Sequence, residues 1–370
     1  MTQQKQEQEE AATEITEVAP GVLRMQLPIR FTGLGHVNMY GLLDERGVAV
    51  VDPGLPGGTS WKAIADRLHR AGLRVRDVHT VVVTHGHPDH FGGAGRLARE
   101  AGAELVTHAH FAVPWWPETF PDVVELDSAD DNDEPRALDG TDLLRWARQT
   151  PWAPKAYRPR LRDRLTIGAV RVAGRRIVPP VPTRRLRDGE VVKLADREWF
   201  AVHTPGHTAD HLCLHDPEEG VLLTGDHVLP SITPHISGVG AGPDPLDDYV
   251  AALDRVKALP DVRLALPAHG HPFDDVAGRV EAIKRHHRRR LDQLQEIGAA
   301  LGPATVEDFA RHLFSRRQWG LMAESETYAH LEHLRHAGDA RRESRGGRLV
   351  YEVGAGAPPG RVPTSDPVRW

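Results

Sequence analysis

The residues best suited to chemistry are gathered in one heptapeptide, Thr84-His85-Gly86-His87-Pro88-Asp89-His90, directly after the apolar run Val78-His79-Thr80-Val81-Val82-Val83. Three imidazoles and one carboxylate therefore stand within six residues at the mouth of an expected buried strand. Side chains two apart on an extended segment point the same way, so His85 and His87 can share one cation while Asp89 and His90, on the tightening turn, reach another. These donors suit zinc, and also iron or manganese, better than copper(I). In a chain with 22 histidines a lone His-x-His would mean little, so the weight rests on what lies downstream.

Three later segments each put one more donor at the end of an expected strand. The run from Phe200 breaks at Pro205-Gly206 and leaves His207 on the turn. The apolar run Val221-Leu222-Leu223 ends in Gly225-Asp226. The run Leu264-Ala265-Leu266-Pro267 leads to His269 between small residues that allow close backbone approach, with His271 as its nearest competitor. Strand ends that deliver His or Asp in this way form one constellation for divalent metal.

These elements, together with Val50-Val51-Asp52-Pro53-Gly54, occur in an order that resembles the metallo-β-lactamase fold superfamily, and within it the glyoxalase II-like branch. The resemblance spans about residues 20 to 275 and implies an α/β fold, a four-layer αββα sandwich with the site at one edge. It implies that His85, His87 and His207 hold one metal and Asp89, His90 and His269 a second. Asp226 would bridge them, since a carboxylate has two oxygens to share. Asp89 and Asp226 would be the catalytic carboxylates, and Asp52 would orient the ligand loop by hydrogen bonds. Pro267-Ala268 replaces the more usual Pro-Gly, a one-methyl departure. Flavodiiron oxygen reductases of this fold carry a carboxylate at the His87 position, which disfavours a redox diiron role; the mononuclear persulfide dioxygenases share the ligand pattern.

At 370 residues, with 40% hydrophobic and 26% charged side chains, the chain is of ordinary globular composition and long enough for two domains. No segment approaches 18 uninterrupted apolar residues, so no membrane span is expected. The polar, acidic segment 1–18 reads as a disordered tail without a secretory signal. A single cysteine, Cys213, excludes an internal disulfide, makes a cytoplasmic location the simplest choice, and reads as core packing.

Strands are expected over 22–27, 36–43, 47–51 and 104–107, and helices over 61–71 and 93–101, within a catalytic domain of residues 19–275. Residues 109–183 interrupt this alternation with an insertion rich in aromatic residues, among them Phe111, Trp115, Trp116, Phe120, Trp146, Trp152 and Tyr157. An ordered cap over the metal mouth, with a helix over 141–148, is the expectation, and Trp115 and Trp116 become candidate substrate contacts. The irregular stretch after Asp226 offers a second pocket wall, with His235 as a candidate substrate contact. His203 and His211 read as buried, hydrogen-bonded histidines.

Residues 276–355 change character, with expected helices over 276–300, from Thr305 to 313 and over 324–337, then two strands turning at Arg345-Gly346-Gly347, before a tail over 356–370. The pattern resembles a winged-helix module. The basic run Lys284-Arg285-His286-His287-Arg288-Arg289-Arg290 lies on an amphipathic helix and is expected to be a solvated face. Nucleic-acid binding is left open but not favoured, because net charge is -6 and the candidate reading helix carries Glu324, Glu326 and Glu332. Packing on the catalytic domain, or homo-oligomer formation, is the preferred role of the module.

The expected function is a dinuclear metal-dependent hydrolase, most readily zinc-dependent, that cleaves thioesters or esters of small to medium organic molecules by attack of hydroxide held between the ions. A phosphodiesterase or RNA endonuclease, a lactonase, and a non-catalytic winged-helix regulator that senses metal are the alternatives.

Overall fold

The computed structural model describes residues 5–31, 33–111, 150–153, 180–239 and 242–354. Its first sheet has seven strands in sequence order: β1 (Ile15–Ala19), β2 (Val22–Phe31), β3 (Leu34–Asp44), β4 (Gly47–Val51), β5 (Val78–Val82), β6 (Glu104–His108) and β7 (Arg184–Leu186). Pairing is antiparallel as far as β4 and parallel from β4 onward. Parallel neighbours need a crossover, and the helices α1 (Gly58–Arg70) and α3 (Ala94–Ala101) lie in the connections either side of β5. Between β5 and α3 a single turn, α2 (Pro88–Phe91), opens on Pro88.

The second sheet orders its five strands as β12 (Leu264–Pro267), β11 (Val221–Gly225), β10 (Leu212–Asp216), β9 (Arg197–His203) and β8 (Val191–Leu194), with only β11 and β12 parallel. Alternate residues separate the faces of each sheet. Tyr40, Leu42, Val51 and Val82 of the first sheet meet Trp199, Leu212, Leu214, Leu223 and Leu266 of the second in one buried cluster. The opposite face of the first sheet, with Met25, Val48 and Val81, is covered by Ile64, Leu68 and Leu97 of α1 and α3. The opposite face of the second sheet, with Cys213, Leu222 and Ala265, is covered by Leu246, Tyr249 and Leu253 of α4 (Pro245–Lys257) and by Ile283 and Leu294 of α5 (Val276–Leu301). Helix, sheet, sheet and helix thus make four layers. Cys213 is fully buried, which pushes its thiol up to about 12.

The C-terminal segment adds α6 (Val306–Leu313), α7 (Leu321–Ala337) and a three-stranded antiparallel sheet ordered β13 (Ala304–Thr305), β15 (Arg348–Val353), β14 (Ala340–Arg345). Thr305 caps α6, with Asp308 as its reciprocal partner. The cluster that covers the second sheet continues without a break into Phe309, Leu331 and Tyr351, so this segment shares a core with the sandwich. Most of α7 is buried, including Glu324, Thr327, His330 and Glu332.

Two expectations change here. Residues from Lys5 onward belong to the fold: Ile15–Ala19 forms the edge strand, and Glu7, completely buried, accepts hydrogen bonds from Ser231 N (2.7 Å) and Ile232 N (3.0 Å). Polar composition hides this order because one carboxylate saturated by loop donors does the anchoring. The basic run is only partly solvated. Arg285 and Arg289 are exposed, but Lys284 pairs with Asp254 at 2.6 Å and Arg290 with Glu326 at 3.2 Å. The expected cap falls largely on residues 112–149 and 154–179, outside the described residues, together with Trp115, Trp116 and the helix over 141–148. Trp152, which is described, packs on the C-terminal segment: its Nε1 donates to Glu324 and its carbonyl accepts from Leu349 N. No helix among the described residues is long and apolar enough to cross a membrane.

Ending the chain after Asp275 should therefore abolish cooperative unfolding. The cut uncovers several side chains whose burial is worth about 1.5–3 kcal/mol each, against a typical margin of about 5–15 kcal/mol. A calorimetric transition like that of the full chain would contradict the shared core.

Candidate metal centre

Four strand ends meet at one edge of the sandwich. Beyond β5 the backbone carries His85 and His87, and Pro88 at the start of α2 sets Asp89 and His90 on its single turn. His207 and Asp226 each follow a glycine with no substitute. Gly206 has φ 125° and a Cβ there would lie 2.3 Å from Tyr249 Cβ; Gly225 has φ 50° and its Cβ would lie 2.6 Å from His211 Nε2. His269 stands two residues past β12, whose partner β11 runs parallel to it and ends on Gly225.

The donor atoms fall into two groups that share Asp226. His85 Nε2 and His207 Nε2 lie 2.9 and 3.1 Å from His87 Nδ1, and His207 Nε2 is 3.6 Å from Asp226 Oδ2. Asp89 Oδ2 is 3.8 Å from His90 Nε2 and 3.6 Å from His269 Nε2. The Asp226 carboxylate completes this second group, with Oδ2 3.5 Å from His90 Nε2 and Oδ1 3.3 Å from His269 Nε2. The rings of His85, His87 and His207 stand 73–79° to one another, so their in-plane lone pairs can converge on a point.

The opposite nitrogen of four rings is tied down. His85 Nδ1 contacts Thr84 Oγ1 (3.0 Å), His90 Nδ1 contacts Asp52 Oδ2 (2.8 Å), His207 Nδ1 donates to His235 O (2.7 Å) and His269 Nδ1 to His36 O (2.7 Å). These contacts fix the tautomer that leaves Nε2 free to ligate. Asp52 also accepts from Thr84 N (2.9 Å) and Thr84 Oγ1 (2.8 Å), and holds φ 53°, a left-handed conformation uncommon outside glycine. His211 Nε2 accepts from Asp226 N at 3.0 Å. Sequence reading places Asp52 and the donors here, but misses Thr84, His36 and the role of His211. Thr84, adjacent to His85, carries a signal; His36 acts through its backbone carbonyl on His269 and through its ring, which accepts from Gly270 N at 3.1 Å, and nothing local marks either contact.

The residues fit a divalent cation. His90 Nε2, His269 Nε2 and Asp226 Oδ1 are buried without hydrogen-bond partners, a cost of about 1–3 kcal/mol each unless something charged satisfies them. Burial, followed by neighbouring imidazoles, pushes His85 and His87 well below the usual histidine range, and this keeps them neutral. Burial opposes ionisation of Asp226 too, but His269 and His90 outweigh it and hold the carboxyl well below its ordinary value. His271 lies outside the cluster, with Nε2 2.9 Å from Glu9 and Nδ1 3.0 Å from Arg24. His203 donates from Nε2 to Ala209 O and stacks on His108 at 3.9 Å, 12° between planes, beside His110. Parallel stacked planes cannot both contain one ion, so this trio is packing rather than a second centre.

A family model described as the metallo-beta-lactamase superfamily matches residues 32–269. The chain belongs to the metallo-beta-lactamase superfamily. Its αββα layers and edge-mounted His/Asp cluster are the superfamily's fold and a site compatible with divalent metal. A metallo-beta-lactamase family protein from Thermus thermophilus is similar at TM-score 0.72 and 30% identity, covering 91% of this chain and 100% of that one. A beta-lactamase domain protein from Burkholderia ambifaria is similar at TM-score 0.72 and 29% identity, covering 93% and 96%. Both likenesses reach beyond residues 32–269. Among curated relatives, an acyl-coenzyme A thioesterase of Gallus gallus is 38% identical over 101 residues, 26% of this chain and 35% of the relative. An atrochrysone carboxyl ACP thioesterase of Cryptosporiopsis sp. is 34% identical over 116 residues, 30% and 34% respectively. The chain spans between a third and a half of the length of the curated relatives it matches.

Asp52→Asn sets an amide NH2 among three donors, so it should weaken metal binding about 10–100-fold, read by chelator competition. Unchanged affinity would deny Asp52 its orienting role.

Proposed function

We propose that this chain is a dinuclear metal-dependent hydrolase that cleaves a thioester or activated ester bond of a small to medium organic substrate. His85, His87 and His207 would hold one ion, Asp89, His90 and His269 the other, and Asp226 would bridge, with zinc the most suitable metal. The observation that carries this reading is the Asp226 carboxylate set between the two groups of imidazoles, with Oδ2 3.6 Å from His207 Nε2 and 3.5 Å from His90 Nε2, and Oδ1 3.3 Å from His269 Nε2. Divalent ions there would polarise a carbonyl and lower the pKa of a bound water to near neutrality. The chain's own part is to hold the donors in place, through Asp52, Thr84, His36 O and His235 O, so that nothing has to reorganise as charge develops.

Leaving-group chemistry favours the thioester. A thiolate departs without a proton, whereas an alkoxide benefits from a general acid, and Asp226 is held ionised by His269 and His90 against the effect of burial. The thioesterase names of the Gallus gallus and Cryptosporiopsis relatives support the same substrate class. Phosphodiester or RNA cleavage draws less support, because Lys284 and Arg290 are paired within the chain and α7 is buried. A sensor without turnover has no need of the complete donor set.

Metal analysis with a panel of acyl thioesters, oxoesters, lactones, phosphodiesters and RNA tests the proposal. The expected outcome is two ions per chain and highest kcat/KM on thioesters. Chelation should remove the activity and added zinc should restore it. Asp226→Asn should lower turnover by about 100-fold or more and reduce bound metal. RNA cleavage without thioester turnover, or a fully active Asp226→Asn variant holding two ions, would sink it.

A further inference from the structure

The loop that follows Asp226 is held by elements far from it in sequence. Glu7 takes the backbone N–H groups of Ser231 and Ile232, and Arg279 of α5 donates to the carbonyls of Leu229 and Ile232. Gly238 N donates to Ser325 Oγ at 3.0 Å, and a Cβ on Gly238 would meet Tyr328 Cδ1 at 2.5 Å, so the loop lies flat on α7. At its centre is His235. Its carbonyl accepts from His207 Nδ1, and its ring Nδ1 lies 3.3 Å from Glu326 Oε2 on α7. The other oxygen of Glu326 lies 3.2 Å from Arg290 Nη1, and Arg290 sits over the Phe314 ring at 4.4 Å.

Burial opposes the charge of Glu326, but the His235 hydrogen bond and Arg290 more than offset it and keep the carboxyl ionised. A carboxylate only accepts, so His235 Nδ1 carries the proton and, in the neutral ring, Nε2 carries the lone pair. Nε2 has no hydrogen-bond partner among the described residues, and the side chain keeps 19% of its exposure. The same residue touches the metal centre through its backbone, where its carbonyl accepts from His207 Nδ1 at 2.7 Å. An acceptor nitrogen of set direction thus stands beside the metal centre.

We propose that Glu326 is a positioning residue of the C-terminal segment, which locks His235 as the Nδ1–H tautomer and presents Nε2 to accept a hydrogen bond from a substrate O–H or N–H near the scissile carbonyl. The substrate part rests on the hydrolase reading above. It narrows the substrate class to acyl thioesters that carry a hydroxyl or amide donor close to the reacting carbon. Glu326 touches no substrate and acts only through His235.

The test uses the full-length, metal-loaded chain. Histidine side-chain 1H–15N spectra should show His235 in one tautomer in the wild type and a mixture in Glu326→Gln. Exchange between tautomers in the wild type, or no change in the variant, overturns the proposal whether or not thioesters are hydrolysed. Kinetically, Glu326→Gln and His235→Gln should each lower kcat/KM about tenfold more on a 3-hydroxyacyl thioester than on its deoxy analogue, and the double variant should be no worse than either single one. Metal content should not change. Additive losses, equal losses on both substrates, or loss of metal would reduce Glu326 to a structural tie and overturn the proposal. Should Glu326→Gln fail to fold, Glu326→Asp is read by the same spectra, with a retained tautomer and partial activity expected; tautomer mixing at wild-type kcat/KM would contradict the coupling. Wild-type inactivity on every thioester counts against the hydrolase reading alone, and the spectra then decide the role of Glu326.

Discussion

Five imidazoles and two carboxylates gathered in one largely desolvated place are not self-consistent without a cation. The rings cannot all be charged, because burial and mutual repulsion push His85 and His87 down. Nor can they satisfy one another as neutral groups, since most of their outer nitrogens are already committed and only a proton or a cation can serve the inner ones. Acceptors facing acceptors is the arrangement a divalent ion resolves, and removing that ion leaves orphaned atoms such as His269 Nε2. Much of the local architecture serves this point. Glycine at 206 and 225, each next to a donor, and the left-handed Asp52, in contact with His90, are backbone concessions whose cost is tolerated because the ligands must meet.

The donors come from the two sheets, but their orientation is set by a wider shell. His36 O belongs to β3, Asp52 follows β4, and His235 O lies on a loop held by Glu7 at one end of the chain and by α5 and α7 at the other. This division has a physical logic. Sheets give positions accurate enough for ligands, and a loop fastened at several points can carry a substrate-facing side chain without disturbing them.

Legibility from sequence follows the same division. The ligand loop is readable because His85, His87, Asp89 and His90 are near neighbours in the chain, so spacing alone implies convergence. His207, Asp226 and His269 are readable because each follows an apolar run that breaks at glycine or proline. What cannot be read is pairing across long separations. Glu7 looks like part of a disordered acidic tail, since nothing local says that two backbone donors some 224 residues away will saturate it. Lys284 and Arg290 look solvated because helical periodicity gives a face but not the acid that will meet it. Glu326 looks like a charge that would repel phosphate, whereas its partners lie on a loop and another helix.

That last reversal bears on how the superfamily fold acquires different substrates. A winged module displayed for nucleic acid would keep its middle helix exposed and basic, but α7 buries Thr327, His330 and Leu334 and sets Glu326 against His235. Arg290 of α5 is consumed by that same carboxylate. A polyanion gains its affinity from many unpaired cations and the counterions they release, so the pairing of Lys284 and Arg290 within the chain leaves it fewer of them. A small acyl thioester needs the reverse: a few fixed polar groups beside a metal centre, with no net field to satisfy. On the proposed reading, Glu326 of the C-terminal segment would contribute one such group through His235.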